Sequence, residues 1–279
     1  MQKHEKSSMD INKVLFISQQ IAPYVPENPV SIMGRELPQG IQEKGIEVRT
    51  FMPKFGIINE RRNQLHEVIR LSGMNVIIDD TDHPLIIKVA TLQPSRMQVY
   101  FIYNEDYFAH NLTKELETVS SPGDNDERII FYARGVIETV RKLRWVPDVI
   151  QCNGWVAALA PLYMRTKYSD DPSFRDAKIV VGLNGETIPE PLDARLAEKL
   201  EFDEVPRELF SDIVGRQATN EDLLRLTLTS SDAVVQFSPE VPEKVLQVVH
   251  DSKLPFLPYN GTDTATRMEE ITQFYASLG

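Results

Sequence analysis

Cysteine is nearly missing. One thiol, Cys152, in 279 residues excludes an internal disulfide and a cysteine-based metal cluster, and it fits a reducing cytoplasm. Positive charge is short as well: 30 Lys and Arg stand against 41 Asp and Glu, a formal net charge of −11. Such a chain offers no basic patch to nucleic acid or to an anionic membrane, so neither is expected as a partner. No apolar run approaches membrane-spanning length. The opening M-Q-K-H-E-K-S-S-M-D is polar throughout, which reads as a flexible arm over residues 1–12 rather than a signal peptide. His66, His110 and His250 lack ligand spacing with other His, Cys or carboxylate residues. Internal repeats and low-complexity tracts are also lacking. What remains is ordinary for a globular protein, 42% hydrophobic and 25% charged, and long enough for one large or two small domains.

The pattern along the chain predicts an α/β fold. Lys13 to Ser18 (K-V-L-F-I-S) reads as a buried strand, apolar and rich in β-branched residues. Pro23, Pro26 and Pro29 make the loop from Gln19 to Val30, Ser31 reads as a helix cap, and Gly45 ends that helix. Glu47 to Met52 gives the second strand. His66 to Leu71, Met74 to Ile78, Leu85 to Thr91 and Gln98 to Tyr103 read as a meander of hairpins, a β-rich insertion over about 65–104. A long helix capped at Asp124 or Asn125 reaches Leu143.

The chain is organised around Trp145 to Met164, W-V-P-D-V-I-Q-C-N-G-W-V-A-A-L-A-P-L-Y-M. Asp148 to Cys152 reads as a strand buried on both faces, Asn153-Gly154 as its turn, and Trp155 to Lys167 as a helix. Strand-to-helix corners of parallel sheets lie at the carboxyl edge, where ligands bind. Lys178 to Leu183 and Ala233 to Phe237 are further strands. Helices are expected at Leu192 to Leu200, Arg207 to Val214, Glu221 to Leu228, Pro242 to His250 and Thr264 to Leu278. The expected whole is a Rossmann-like, mostly parallel sheet with helices on both faces, one domain over 13–279 carrying the β-hairpin insertion.

Several clusters have a functional and a plain reading. Asp79, Asp80, Asp82 and His83 are either metal ligands or a solvated hairpin tip, and Pro84 with the flanking alternation favours the tip. Arg61-Arg62 fits a surface charge pair better than a phosphate site. Cys152, at a buried strand end, reads as an inert small hydrophobe. Asn153, Gly154 and Trp155 are either a sugar-acceptor site or a turn followed by a core tryptophan. Asn184-Gly185-Glu186 is either a strand-end turn or a site for sugar hydroxyls, with Glu186 reaching into a cleft. Met268, Ile271, Phe274, Tyr275 and Leu278 form an apolar stripe that packs on its own domain or docks a separate chain.

Five segments, in order, carry a family resemblance: K-V-L-F-I-S-Q-Q-I-A-P-Y (13–24), L-P-Q-G-I-Q-E-K-G-I-E-V-R-T-F-M-P-K-F-G (37–56), D-N-D-E-R-I-I-F-Y-A-R (124–134), P-D-V-I-Q-C-N-G-W-V-A-A-L-A-P-L-Y-M (147–164) and A-K-I-V-V-G-L-N (177–184). Together they resemble the N-terminal catalytic domain of bacterial glycogen synthases and plant starch synthases. The resemblance implies one half of a two-Rossmann-domain glycosyltransferase, with the second, donor-binding half absent from this stretch of chain. The implied reaction moves glucose from ADP-glucose to the 4-hydroxyl of an α-1,4-glucan. It implies no resident cofactor or metal, with ADP-glucose as a co-substrate only in an active form.

The departures from the family pattern fall on the chemistry. Where the family carries K-x-G-G-L-A-D, this chain reads V-P-E-N-P-V-S-I, so Pro26 replaces the lysine, Asn28-Pro29 the glycine pair and Ile32 the aspartate. The family's glutamate before A-P is Gln20. Its H-D-W is Asn153-Gly154-Trp155, and the histidine of its I-H-N is Asn184. The resemblance therefore points to Gln20, Asn153, Gly154, Trp155, Asn184 and Glu186 as the substrate-binding set, with Asn184 at the family's catalytic position and no catalytic residue assigned. The expected function is a catalytically incomplete relative that binds α-glucan or serves glycogen metabolism. Two alternatives stand beside it: an enzyme active only with a separate donor-binding chain, and a structural or regulatory protein with an empty cleft. The expected partners are an α-glucan and either a separate donor-binding protein or a second copy of the chain.

Overall fold

The structure, a computed structural model, describes residues 9–109 and 123–279. Ten strands and seven α-helices alternate along it. They are β1 (Lys13–Ser18), α1 (Pro29–Glu43), β2 (Glu47–Pro53), β3 (His66–Glu67), β4 (Met74–Ile78), β5 (Thr81–Leu92), β6 (Met97–Tyr103), α2 (Asn125–Leu143), β7 (Val149–Asn153), α3 (Ala160–Arg165), β8 (Lys178–Leu183), α4 (Leu196–Phe202), α5 (Asn220–Thr229), β9 (Ala233–Gln236), α6 (Glu243–Ser252), β10 (Phe256–Leu257) and α7 (Thr264–Ala276).

The sheet order is β10-β9-β8-β7-β1-β2-β6-β5-β3, with β4 paired to β5. Seven strands from β10 to β6 run parallel, and β3, β4 and β5 close one side in antiparallel pairs. Parallel strands are covered on both faces, which accounts for the unbroken apolar runs of β1, β7 and β8. Phe16, Ile17, Phe51, Phe101, Ile150 and Ile179 are fully buried between the helical layers. A second, smaller apolar cluster lies under α5 and α6 around Leu224, Val234, Val245 and Val249.

Several expectations change in detail. Gln98 to Tyr103 forms the expected hairpin with β5, but it also pairs in parallel with β2, so β6 belongs to the main sheet and the hairpins are not a separate insertion. The cap of α1 is Asn28, with Pro29 at the first helical position and Ser31 completing a capping box. A proline there loses no hydrogen bond and has its φ preset, so a prolyl-rich loop can run straight into a helix. Trp155 to Lys167 divides into a 3₁₀ turn at Trp155–Ala157 and the six-residue α3. Arg207 to Val214 is two 3₁₀ turns rather than a helix. The strand β10 was not foreseen, because two residues carry no periodicity. The arm read over 1–12 is anchored from Met9, whose amide donates to Ala276 O at 2.9 Å; residues 1–8, and His110, lie outside the described residues.

Asp82 and His83 are strand residues, and only Asp79 and Asp80 make the turn. His83 is buried, with Nε2 3.0 Å from the Tyr107 hydroxyl, which donates to Glu127 at 2.9 Å. Glu127 and Asp126 in turn grip the buried Lys199 at 2.7 and 2.6 Å. No cluster of three or more metal-ligating side chains occurs among the described residues.

Candidate ligand crevice at the sheet switch point

Chain direction across the sheet reverses at β1: β2 continues on one side and β7 begins the other. Connections leaving β1 and β7 part in opposite directions, which opens a crevice at their carboxyl ends. Gln19 and Gln20 enter it from β1, and Asn153, Gly154 and Trp155 from β7. The two lips are tied by the Gln19 amide donating to Asn153 O at 3.1 Å. β8 brings Asn184 and Glu186 to the same edge.

A line of three side chains crosses this crevice. Asn28 Nδ2 donates to Gln20 Oε1 at 2.8 Å, and Gln20 Nε2 donates to Glu186 Oε1 at 3.1 Å. A carboxylate thus stands beside Gln20 although residue 20 itself is neutral. Among the described residues, Glu186 Oε2 is buried with no hydrogen-bond partner. Burial pushes the Glu186 carboxyl up to about 7, since its only hydrogen bond is to a neutral amide.

Gly154 takes φ +84 and ψ 160, a region open essentially to glycine alone. A Cβ added there would lie 2.6 Å from Gln19 Oε1 and 2.7 Å from Gln19 Cβ. The positive φ and the Gln19 side chain together disfavour the aspartate that the family resemblance places at this position. The absence is built into the shape of the corner.

The first turn of α1 borders the crevice at Asn28. Pro29 has no amide hydrogen, and the Ser31 amide is taken by Asn28 Oδ1 at 2.9 Å. A helix N-terminus binds anions through free N–H groups, and this one has spent or lost most of them internally. The helix also presses on the site backbone: a Cβ on Gly34 would sit 2.1 Å from Gln20 O.

Asn153 and Trp155 are placed deeper than the sequence suggests. Asn153 is 5% exposed, and its Oδ1 accepts from Gln151 Nε2 at 3.0 Å. Gln151 Oε1 accepts from the Tyr275 hydroxyl at 2.7 Å. Trp155, 8% exposed, is part of the main core and shows one side to the cleft. Cys152 is buried, and burial pushes its thiol well up, as expected for an inert residue. The Gln151–Tyr275 pair was missed in the sequence. The signal was there, a lone glutamine inside an otherwise apolar strand, which must find a partner when buried.

Beside the crevice, under α5 and α6, lies a slot with a cavity volume of about 60 Å3. Gly154, Trp155, Asn184 and Glu186 stand at its mouth, and Leu223 and Val245 lie among its walls. Gln20 and Asn153 are not among its lining residues, so the predicted set divides between crevice and slot. No Lys, Arg or His lines the slot among the described residues.

A doubly wound parallel sheet with its open crevice at the β1–β7 switch point is the frame of a Rossmann-type ligand-binding lobe. The family described as the starch synthase catalytic domain matches residues 13–254, and the chain belongs to that family. It is 34% identical over 235 residues to the glycogen synthase of Chlorobium luteolum, covering 84% of this chain and 47% of the relative. To the glycogen synthase of Chlorobium phaeobacteroides it is 38% identical over 222 residues, 78% of this chain and 45% of that one. The catalytic domain of starch synthase IV from Arabidopsis thaliana, solved bound to ADP and acarbose, superposes with a TM-score of 0.71 at 16% identity, covering 92% of this chain and 53% of that one. The chain spans about half the length of the curated relatives it matches. Among the described residues no helix is long and apolar enough to cross a membrane.

Proposed function

We propose that this glycogen/starch-synthase-type domain binds an α-glucan at the β1–β7 crevice, works in cytoplasmic glycogen metabolism, and does not itself transfer glucose from ADP-glucose. The first turn of α1 carries this reading. Pro29 and the Asn28–Ser31 capping box leave that turn with few of the free amides a sugar-nucleotide's diphosphate needs. Glu27, Glu186 and the absence of a lysine at Pro26 add to the electrostatic opposition. Glycosyl transfer also asks for charge stabilisation at the reacting carbon, and Asn184 and Gly154 supply neutral groups where the family pattern has a histidine and an aspartate. Asn184, Asn28, Gln20 and Glu186 can still hydrogen-bond sugar hydroxyls.

The test is paired. Isothermal calorimetry with maltoheptaose is expected to show binding that weakens at least several-fold in Gln20→Ala. A transfer assay with ADP-glucose and glycogen is expected to show no chain lengthening. Robust turnover by the purified chain overturns the catalytic half of the reading, and no heat with maltoheptaose overturns the binding half.

The reading that α7 is a docking face for a separate donor-binding chain has no support in the packing. Met268, Ile271 and Tyr275 are buried against their own domain, with Met268 seated over Gly40 of α1.

A further inference from the structure

The slot under α5 and α6 combines aliphatic walls, which the glucan reading does not use, with Glu186, which that reading shares. Its walls are aliphatic: Val181, Leu223, Leu224, Val241 and Val245 line it. Besides the buried thiol of Cys152 it holds one carboxylate, Glu186, whose Oε2 is buried and has no donor among the described residues. A buried carboxylate oxygen without a donor is costly, and a ligand that supplies one recovers that cost. The neutral amide of Gln20, from the segment after β1, donates to Glu186 Oε1, and the neutral amides of Asn184 and Asn220 line the same slot. The charged side chains Glu190, Glu221 and Lys244 line the adjoining hollow beneath residues 187–191.

From this we infer that the slot is a binding site for a small organic cation, with an ammonium group donating to Glu186 Oε2 and a compact apolar body between Leu223, Leu224 and Val245. An anion is excluded, because the only charge it would meet is a carboxylate. A neutral sugar is a poor match, because its hydroxyls would be stranded against aliphatic walls. The site shares Glu186 and Asn184 with the glucan reading and differs from it in the ligand, which carries no sugar and occupies the slot rather than the crevice.

Cyclohexylammonium serves as the probe, with cyclohexanol as its neutral isostere and cyclohexanecarboxylate as its anionic one. Binding is followed by methyl NMR of the full chain, so that shifts at Leu223, Leu224, Val241 and Val245 locate the ligand. At pH 8 the ammonium is expected to bind about tenfold tighter than the alcohol, the gain of a charge-assisted hydrogen bond. The carboxylate is expected not to bind. With the Glu186 carboxyl near 7, its ionised fraction rises from about a tenth at pH 6 to about nine tenths at pH 8, and ammonium affinity rises about tenfold over that range. Cyclohexanol affinity should stay flat or fall. In Glu186→Gln the preference for the ammonium and its pH dependence should both vanish, the same methyl spectrum verifying the fold. Equal binding of ammonium and alcohol, a preference that survives Glu186→Gln, or no shift at the slot methyls overturns the inference. Should Glu186→Gln not fold, the wild-type comparison of ammonium with alcohol at pH 6 and pH 8 decides it alone.

Discussion

Glu186 is neutral in about half of the molecules at pH 7, because burial has lifted its carboxyl to about 7 from an ordinary 4.5. A folded-state value above the unfolded one means that ionisation is penalised by folding. The stability associated with this group is fully present below pH 4.5 and is lost as pH rises through 7. Glu186→Gln removes the penalty. Urea denaturation should therefore find the variant more stable than the wild type by on the order of 2 kcal/mol at pH 8, with the difference gone near pH 4. A constant difference across that range would mean that the carboxyl is solvated. At Gly154 the expectation runs the other way. Gly154→Asp restores the family residue, yet it puts a side chain into a glycine-only conformation against Gln19. It should cost about 1–3 kcal/mol in chemical denaturation without creating transferase activity. The residue types at positions 20, 153–155, 184 and 186 were readable in the sequence. The Gln20–Glu186 contact, which spans 166 positions, was not, since no local pattern encodes which strand ends meet.

Among the elements, α7 shows how a sequence pattern can be right about burial and incomplete about its purpose. Its stripe of Met268, Ile271, Phe274, Tyr275 and Leu278 was visible from helical spacing alone, and it packs on the domain, with Phe274 and Leu278 only partly buried. The hydroxyl at its end adds a specific bond, because Tyr275 is the donor that satisfies Gln151 beneath the crevice. Tyr275→Phe keeps the ring and strands the amide oxygen of Gln151, for an expected loss of about 1–3 kcal/mol in thermal or urea unfolding. Because Gln151 also holds Asn153, maltoheptaose affinity should fall together with stability. Strands buried on both faces were placed to within a residue, since a short unbroken apolar run between turn residues is long enough for a covered strand and too short for a buried helix. The short 3₁₀ turns after Pro206 and the split after Gly154 escaped, because both are set by tertiary packing rather than by periodicity.

The molecule as a whole is most stable where its sheet is most thoroughly covered. Central strands β1 and β7 are paired on both sides and buried, whereas β10 and β3 are two-residue edge strands. Native-state hydrogen exchange should find the slowest amides at Phe16, Ile17 and Ile150, opening only with global unfolding, and far faster exchange in β3 and β10. Comparable protection at edge and centre would contradict the strand order. The α/β alternation and five of the seven parallel strands were plain from the sequence. The membership of β6 in the main sheet was not, because a strand shows its own burial but not the identity or direction of its neighbours.

The bond between the Met9 amide and Ala276 O, with Gly279 lying against Met9, brings the first and last described residues side by side. A short peptide could therefore splice one to the other without disturbing the sheet, and new ends could be opened in the exposed turn at Asp79-Asp80. Such a circularly rearranged version would fold to the same crevice, with its chain read in a different order.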